Sequence, residues 1–188
     1  MAIEEPAFVV AMHEAEFEVR DYPALVVAEV SVTGSRDAAA NAGFRLLAGY
    51  IFGGNTRRQS IAMTAPVVQE RSSGQTIAMT APVTQSGGAG EWVVRFTMPS
   101  TYTLETLPTP NDARVRLVPI PAARYAVVRF SGLAQPADVE RRTATLRAFM
   151  ERRRLRASGR PSLARYDPPW TLWFLRRNEV WIPVGRKG

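Results

Sequence analysis

A nine-residue segment occurs twice in this chain, almost unchanged and offset by 16 residues, and this repeat constrains the fold more than any other feature. The copies begin at Ile61 and Ile77, and each carries a proline at its sixth position. The intervening Arg71-Ser72-Ser73-Gly74 is typical of a turn, so the repeat predicts a β-hairpin. Because proline cannot donate to a strand ladder, Pro66 and Pro82 are expected at a bulge or an edge. A bend shared by both copies would curve a sheet toward closure.

A strand followed by a helix occurs once in each half of the chain. Valine-rich residues 24–33 precede an apolar stripe of helical spacing over 36–52, with Ser35 as the expected N-cap. Residues 124–131 precede a second helix, 136–156, which begins with Pro136 at its first position. Shorter strands are predicted, by alternation of polar and apolar residues, at 7–12, 15–20, 92–98, 114–120, 172–176 and 179–184, with a loop over 157–170.

The order strand–helix–strand–strand therefore occurs twice, over approximately 15–100 and 114–184. Strands and helices are segregated rather than strictly alternating, which indicates an α+β fold with an antiparallel sheet. We expect the two pseudo-repeats to form a distorted antiparallel β-barrel with two packed helices, all within a single domain, 1–188. A pocket is expected between a helix and the sheet.

Composition excludes several classes of site. The 188 residues include no cysteine and one histidine, His13, which excludes disulfides, thiolate metal sites and multi-histidine cages. No apolar run reaches the ~18 residues that a membrane span needs. The acidic start does not resemble a signal peptide, so a cytoplasmic location is expected. Sequence motifs of nucleophilic, metallo- and nucleotide-dependent enzymes are missing, and we expect a non-catalytic protein.

The positive charge is concentrated in one segment. Residues 141–165 contain nine arginines and one acid, Glu151, whereas the net charge of the whole chain is +7. This segment could bind an acidic partner or nucleic acid. The alternative, which we favour, is a solvated helix face in an arginine-rich protein. The oligomeric state is not predicted.

Six short motifs resemble those of the SOUL/haem-binding protein family, and together they cover nearly the whole chain. They are Glu18-Val19-Arg20-Asp21-Tyr22, Tyr50-Ile51-Phe52-Gly53-Gly54-Asn55, the repeated Ile-Ala-Met-Thr-Ala-Pro-Val, Phe96-Thr97-Met98-Pro99-Ser100, Tyr166-Asp167-Pro168-Pro169 and Arg176-Arg177-Asn178-Glu179-Val180. The resemblance implies the two-repeat barrel and binding of haem or another tetrapyrrole.

Individual ligand-binding positions of the family transfer only in part. An axial histidine proposed in some members precedes the tyrosine that matches Tyr22, and this chain has Asp21 there. Basic residues that hold the propionates of the ligand in other members match Asn41, Gly49 and Thr171. The resemblance therefore implies a tetrapyrrole bound by apolar contacts, without an assigned axial ligand.

The candidate site combines the first helix with the C-terminal aromatic residues. Phe44 could form the floor for a flat ligand, or belong to the core. Arg45 and Arg142 could pair with propionates, although a salt bridge or packing role is favoured for Arg142. Met63 could ligate iron but is more typical of packing. The predicted tetrapyrrole-binding residues are Asn41, Phe44, Arg45, Ala48, Met63, Arg142, Trp170, Trp173 and Phe174. Alternative functions are a small-molecule effector-binding or hydrolase-like domain, or an interaction module using 141–165.

Overall fold

A computed structural model describes residues 4–71, 90–167 and 170–185. The second copy of the repeat, from Ile77, lies outside the described residues, and so does the predicted hairpin between the copies. In the first copy, Pro66 immediately precedes a strand that begins at Val67.

Nine strands form one sheet and two helices pack on it. The strands are β1 Val9–Glu14, β2 Phe17–Tyr22, β3 Leu25–Gly34, β4 Val67–Arg71, β5 Gly90–Thr97, β6 Arg116–Ile120, β7 Ala123–Ser131, β8 Ser162–Arg165 and β9 Arg177–Val184. Their order across the sheet is β1-β2-β7-β9-β8-β4-β5-β3-β6, and every pair is antiparallel. The predicted α+β class is confirmed.

The first helix, α1 (Arg36–Ile51), begins at the predicted cap, where the Ser35 hydroxyl accepts a hydrogen bond from the Ala38 amide. It packs on β3 and β5. Gly43 allows this close packing, since a Cβ there would lie 2.6 Å from the Val94 side chain. Gly53 follows the helix with φ +113°, a left-handed conformation that favours glycine.

The second helix, α2 (Pro136–Arg152), packs on β7 and β9. It is four residues shorter than predicted, because Arg153 already has non-helical dihedral angles and Arg154 has φ +54°. Its apolar stripe contacts Phe17 of β2, whose ring stacks on Phe149 at 4.8 Å.

Two predictions at the C-terminal end are wrong. Ser162–Arg165 is strand β8 rather than loop, and it lies between β4 and β9. Residues 172–176 are not a strand: Trp173–Leu175 form a 3₁₀ turn. Strand β9 begins at Arg177, two residues before the start of the predicted strand 179–184.

The sheet is strongly curved but open. Only Pro121 and Ala122 connect β6 to β7, although five strands separate these two in the sheet order. In a flat sheet they would lie about 29 Å apart, so the sheet must curl to join them. No pairing of the edge strands β1 and β6 is present among the described residues. A closed barrel is therefore not confirmed, and the pseudo-repeats and the single domain remain predictions.

Candidate functional site

The predicted residues of α1 lie along one flank of the helix, which packs on β3 and β5. Phe44 is half-buried, and its ring meets that of Phe96 at 5.4 Å in an edge-on arrangement. Met63 packs against the same apolar cluster. Ala48 is half-buried, whereas Asn41 and Arg45 are exposed. The structure therefore packs Phe44 and Met63 against the same apolar cluster and leaves Asn41 and Arg45 on the exposed helix surface.

A single row across the sheet connects this helix flank to the C-terminal aromatic residues. Phe96 pairs with Val67, Val67 with Arg165 and Arg165 with Asn178. The connection between β8 and β9 leaves the sheet from this row, about 10 Å from the strand beneath Phe44 at the usual strand spacing. In addition, Arg165 Nη2 lies 3.1 Å from Asp37 Oδ1 in the first turn of α1.

The β8–β9 connection carries five of the ten exposed large apolar side chains of the described residues. Trp170 is 81% exposed, and the next four large apolar side chains are more than half exposed, namely Leu172, Trp173, Phe174 and Leu175. Trp173 and Phe174 pack on each other in a T-shaped pair at 5.6 Å. Backbone bonds fix the end of this segment, because the Arg176 carbonyl accepts from Gly132 N at 3.3 Å. We refer to residues 170–175 as the aromatic loop.

Arg142 does not join this group. Its guanidinium lies over the ring of Phe130 at 5.6 Å, next to the core cluster beneath α2. The packing role is thus the one that the structure supports. The one histidine, His13, lies on the edge strand β1. Asp21, which stands where some family members have a proposed axial histidine, lies on β2 and pairs with Arg124 at 2.7 Å.

A buried polar network lies on the face of the sheet opposite the helices, which we call the helix-free face. The Glu179 carboxylate accepts hydrogen bonds from Arg20, from the Tyr166 hydroxyl at 2.8 Å and from Trp181 Nε1 at 2.8 Å. Burial opposes ionisation of Glu179, but its bonds to Arg20 outweigh burial and hold its pKa below the usual value. Burial and the charge of Glu179 raise the pKa of the Tyr166 phenol. Glu179 thus anchors three side chains, those of Arg20, Tyr166 and Trp181.

A cavity of about 350 Å³ opens on the helix-free face next to this network. Tyr125 and Trp181 contribute to its wall, with ring centroids 5.5 Å apart. Arg95 enters it from β5 and bridges two carboxylates, Glu29 at 2.8 Å and Glu70 at 2.6 Å. Two of the charges that line the cavity, Arg95 and Glu70, are thus paired with each other.

Several arginines of the basic segment are paired with acids from other parts of the chain. Arg153 binds Glu14 of β1, and Arg165 binds Asp37. Within α2, Arg141 binds Asp138. The acids reduce the field of the segment, but its binding to a partner remains a prediction.

The described residues contain neither a membrane-spanning helix nor a metal-binding cluster. No helix in the described part of the chain combines the length and apolar character that a membrane crossing requires. Over 4–71, 90–167 and 170–185, no three His, Cys, Asp or Glu side chains are grouped closely enough to hold a metal ion.

The fold and the site define an α+β protein in which two helices cover one face of a curved antiparallel sheet, with an exposed aromatic loop that follows β8 and contacts β7. Residues 3–183 match the model of the SOUL heme-binding protein family, and the chain belongs to that family. No curated protein matches the sequence.

Solved structures share the fold at low sequence identity. The C-terminal domain of EcmrR is 11% identical with a TM-score of 0.66, covering 91% of this chain and 98% of that one. A hydrolase from Listeria innocua is 16% identical with a TM-score of 0.61, covering 93% and 94%. An uncharacterized conserved protein from Listeria innocua is 16% identical with a TM-score of 0.62, covering 90% and 92%.

The sequence did not indicate which buried polar side chains lie on the two faces of the sheet. The partners of Glu179 come from β2, β8–β9 and β9 itself, and Arg20 is 159 residues away from it. Gln69 is almost fully buried on the helix-covered face, although it begins the polar half of its strand, Gln69-Glu70-Arg71. Only the position of Glu179 inside the closing motif signalled a structural role.

Proposed function

We propose that this protein binds haem or a related tetrapyrrole, without catalysing a reaction on it, at the surface between α1 and the aromatic loop. Membership of the SOUL family supports the ligand class. The observation that carries the proposal is the exposure of five large apolar side chains in the aromatic loop, which leaves the sheet from the row beneath Phe44. A contiguous exposed apolar patch is typical of an interaction site.

The residues of this surface fit a flat ligand with an apolar body and acidic edges. Phe44 and Met63 provide apolar area on the helix side, and Trp173 with Phe174 provide it on the loop side. Burial of such area is worth ~25 cal/mol per Å², so stable binding does not require a bond to iron. Exposed Arg45 is placed to pair with a propionate, and Asn41 to donate a hydrogen bond. Haem would supply an iron centre here, which none of these side chains is assigned to ligate.

Titration of the purified protein with haemin tests this proposal. We expect a saturable change in the Soret band, accompanied by quenching of tryptophan fluorescence. Because the proposed contacts are apolar, iron-free protoporphyrin IX is expected to bind with similar affinity. No saturable change at micromolar haemin would reject the proposal.

A matched pair of phenylalanine variants locates the site. Phe174 and Phe52 are both exposed, but Phe52 lies at the C-terminal end of α1, outside the proposed surface. Phe174→Ser is expected to weaken haemin binding about tenfold or more, since burial of such a side chain is worth about 1.5–3 kcal/mol. Phe52→Ser should leave the affinity unchanged. Equal losses in both variants would indicate nonspecific adsorption of haemin.

The cavity on the helix-free face supports a second candidate function, binding of a small uncharged aromatic molecule. The charge of Arg95 is engaged by Glu29 and Glu70, and Trp181 offers a flat surface. Calorimetry with 1-naphthol tests it. Val68 lines the cavity, so Val68→Trp should abolish the binding while haemin binding persists. No heat with the unaltered protein would reject this candidate.

A further inference from the structure

A second cavity, of about 370 Å³, lies on the opposite face of the sheet, between the start of α1 and the middle of α2. Leu163 of β8 and Val180 of β9 form apolar parts of its lining, and α2 contributes Val139 and Ala144. We call it the interhelical groove. None of the residues proposed to bind a tetrapyrrole lines it, so its occupancy is a separate question from the function proposed above.

Two buried polar groups in the interhelical groove lack hydrogen-bond partners within the described part of the chain. Gln69 is 4% exposed, and its Nε2 donates to the Arg36 carbonyl at 2.8 Å. That bond leaves Gln69 Oε1 unpaired, and Arg36 Nη1 is unpaired as well. An unsatisfied buried polar group is destabilising, and native structures contain few of them. The groove thus needs one acceptor, for Arg36, and one donor, for Gln69.

The groove also carries an excess of positive charge. Arg36 and Arg71 approach the same indole, with each guanidinium 5.2 Å from the Trp92 ring. Arg147 of α2 lines the groove too, and Glu140 is the one acid among its described lining residues. Burial lowers the pKa of Arg36, and the nearby cations of Arg165 and Arg71 lower it further. An anion would relieve this repulsion.

The position of the Trp92 ring makes this arrangement rigid. Its Nε1 donates to the Gly34 carbonyl at 3.0 Å, at the end of β3 that leads into α1. The indole is therefore held next to both arginines. Residues 72–89, which connect β4 to β5, contain no Asp or Glu in the sequence, so this connection offers no acid to balance Arg36 and Arg71.

We propose that the interhelical groove binds a small aromatic carboxylate that also carries a hydroxyl or amino donor. The carboxylate accepts from Arg36 Nη1, where a charged hydrogen bond is stronger than a neutral one. The hydroxyl or amino group donates to Gln69 Oε1. The ring packs on the apolar lining of Leu163 and Val180. The volume falls at the small end of ligand pockets, which span roughly 300–1,000 Å³.

Five small probes separate the required groups. The three monohydroxybenzoates carry the ring, the carboxylate and a donor at different positions; benzoate lacks the donor and phenol lacks the carboxylate. By isothermal titration calorimetry, at least one hydroxybenzoate should bind saturably, and about tenfold more tightly than benzoate or phenol. Absence of binding by all three hydroxybenzoates, or equal affinity for phenol, would overturn the proposal.

Substitutions of lining residues test whether the hydroxybenzoate binds in the interhelical groove. Arg36→Met keeps the aliphatic stem and removes the guanidinium, and Gln69→Leu removes the unpaired acceptor; each should weaken the best hydroxybenzoate about tenfold. Arg57→Met alters an exposed arginine outside the groove and should have no effect. Ala144→Trp, at an exposed position of α2 on the groove wall, should block binding even if a buried variant fails to fold. Unchanged affinity in Ala144→Trp would place the ligand elsewhere and refute the assignment.

Discussion

The Arg20 guanidinium and the Glu179 carboxylate form a bidentate ion pair inside the protein, with Nη1–Oε2 at 2.8 Å and Nη2–Oε1 at 3.1 Å. Both side chains are almost completely buried. The pair connects β2 to β9 across the intervening β7. Tyr166 and Trp181 donate to the same carboxylate, so the charge of Glu179 is balanced and its lone pairs are occupied.

Removal of one partner of this pair should be strongly destabilising. Arg20→Met leaves the buried Glu179 carboxylate with only the more distant Arg129 and Arg177, both at 3.5 Å. Glu179→Met leaves the buried Arg20 guanidinium with only Glu18. Each change is expected to cost about 3 kcal/mol of unfolding free energy. The double variant should lose clearly less than the sum, because no charge is left unpaired. Urea denaturation measures all three. As a control, Asp21→Asn breaks an exposed pair with Arg124 and should cost at most about 1 kcal/mol. Strict additivity in the double variant would contradict the proposed coupling.

The same pair should make stability depend on acid pH. The pKa of Glu179 in the folded protein lies below its ordinary value of 4.5, so the unfolded chain takes up the proton first as the pH falls. The contribution is complete above pH 4.5 and is lost as the pH falls from there through the folded pKa. Denaturation of the wild type and Glu179→Gln at neutral pH and at about pH 3.5 measures it. The difference between the two proteins should shrink in acid; a constant difference would contradict the prediction.

Much of the fold follows from local sequence patterns. The exceptions arise where a strand forms, or fails to form, according to neighbouring strands that are distant in sequence. Helix α1 was predicted from its stripe and from Ser35, and both features are local. Strand β8 was missed because Ser162–Arg165 is short and flanked by Gly159 and Pro161; it forms because β4 and β9 present hydrogen-bonding edges on both sides of it. The apolar residues 172–176 suggested a strand but have no such partners, and they form the exposed turn instead.

The site was predictable in its apolar part only. Phe44 and the C-terminal aromatic residues were identified from helical spacing and from the family motifs. Gln69 Oε1 and Arg36 Nη1 are unpaired because of how the side chain of Gln69 on β4 packs against the start of α1. Sequence patterns do not predict such contacts between distant residues. For the same reason, Arg142 was grouped with the ligand, whereas its stacking on Phe130 is a long-range contact.

Asn55, in the motif that follows α1, should be sensitive to small changes. It is fully buried; Oδ1 accepts from the amides of Arg57 and Gln59, and Nδ2 donates to the carbonyls of Tyr50 and Gln59. Asn55→Asp keeps the shape but replaces the donor with an acceptor facing two carbonyls. We expect a loss of about 2–3 kcal/mol, measured by urea denaturation at pH 7. Thr56→Ser, at the exposed neighbouring position, should stay close to the wild type.

Two glycines of α1 should respond to alanine in opposite directions. Alanine favours a helix by about 1 kcal/mol over glycine, and at exposed Gly49 nothing lies within 4 Å of the added Cβ, so Gly49→Ala should raise the unfolding free energy. At Gly43 the added Cβ would lie 2.6 Å from the buried side chain of Val94, and overpacking should cost about 1–3 kcal/mol despite the gain in propensity. Val94→Ala should lower the unfolding free energy less in the Gly43→Ala variant than in the wild type, because the smaller side chain at position 94 leaves room for the added Cβ. Thermal and urea denaturation compare the variants, and stabilisation by Gly43→Ala alone would show that α1 does not pack this closely on β5.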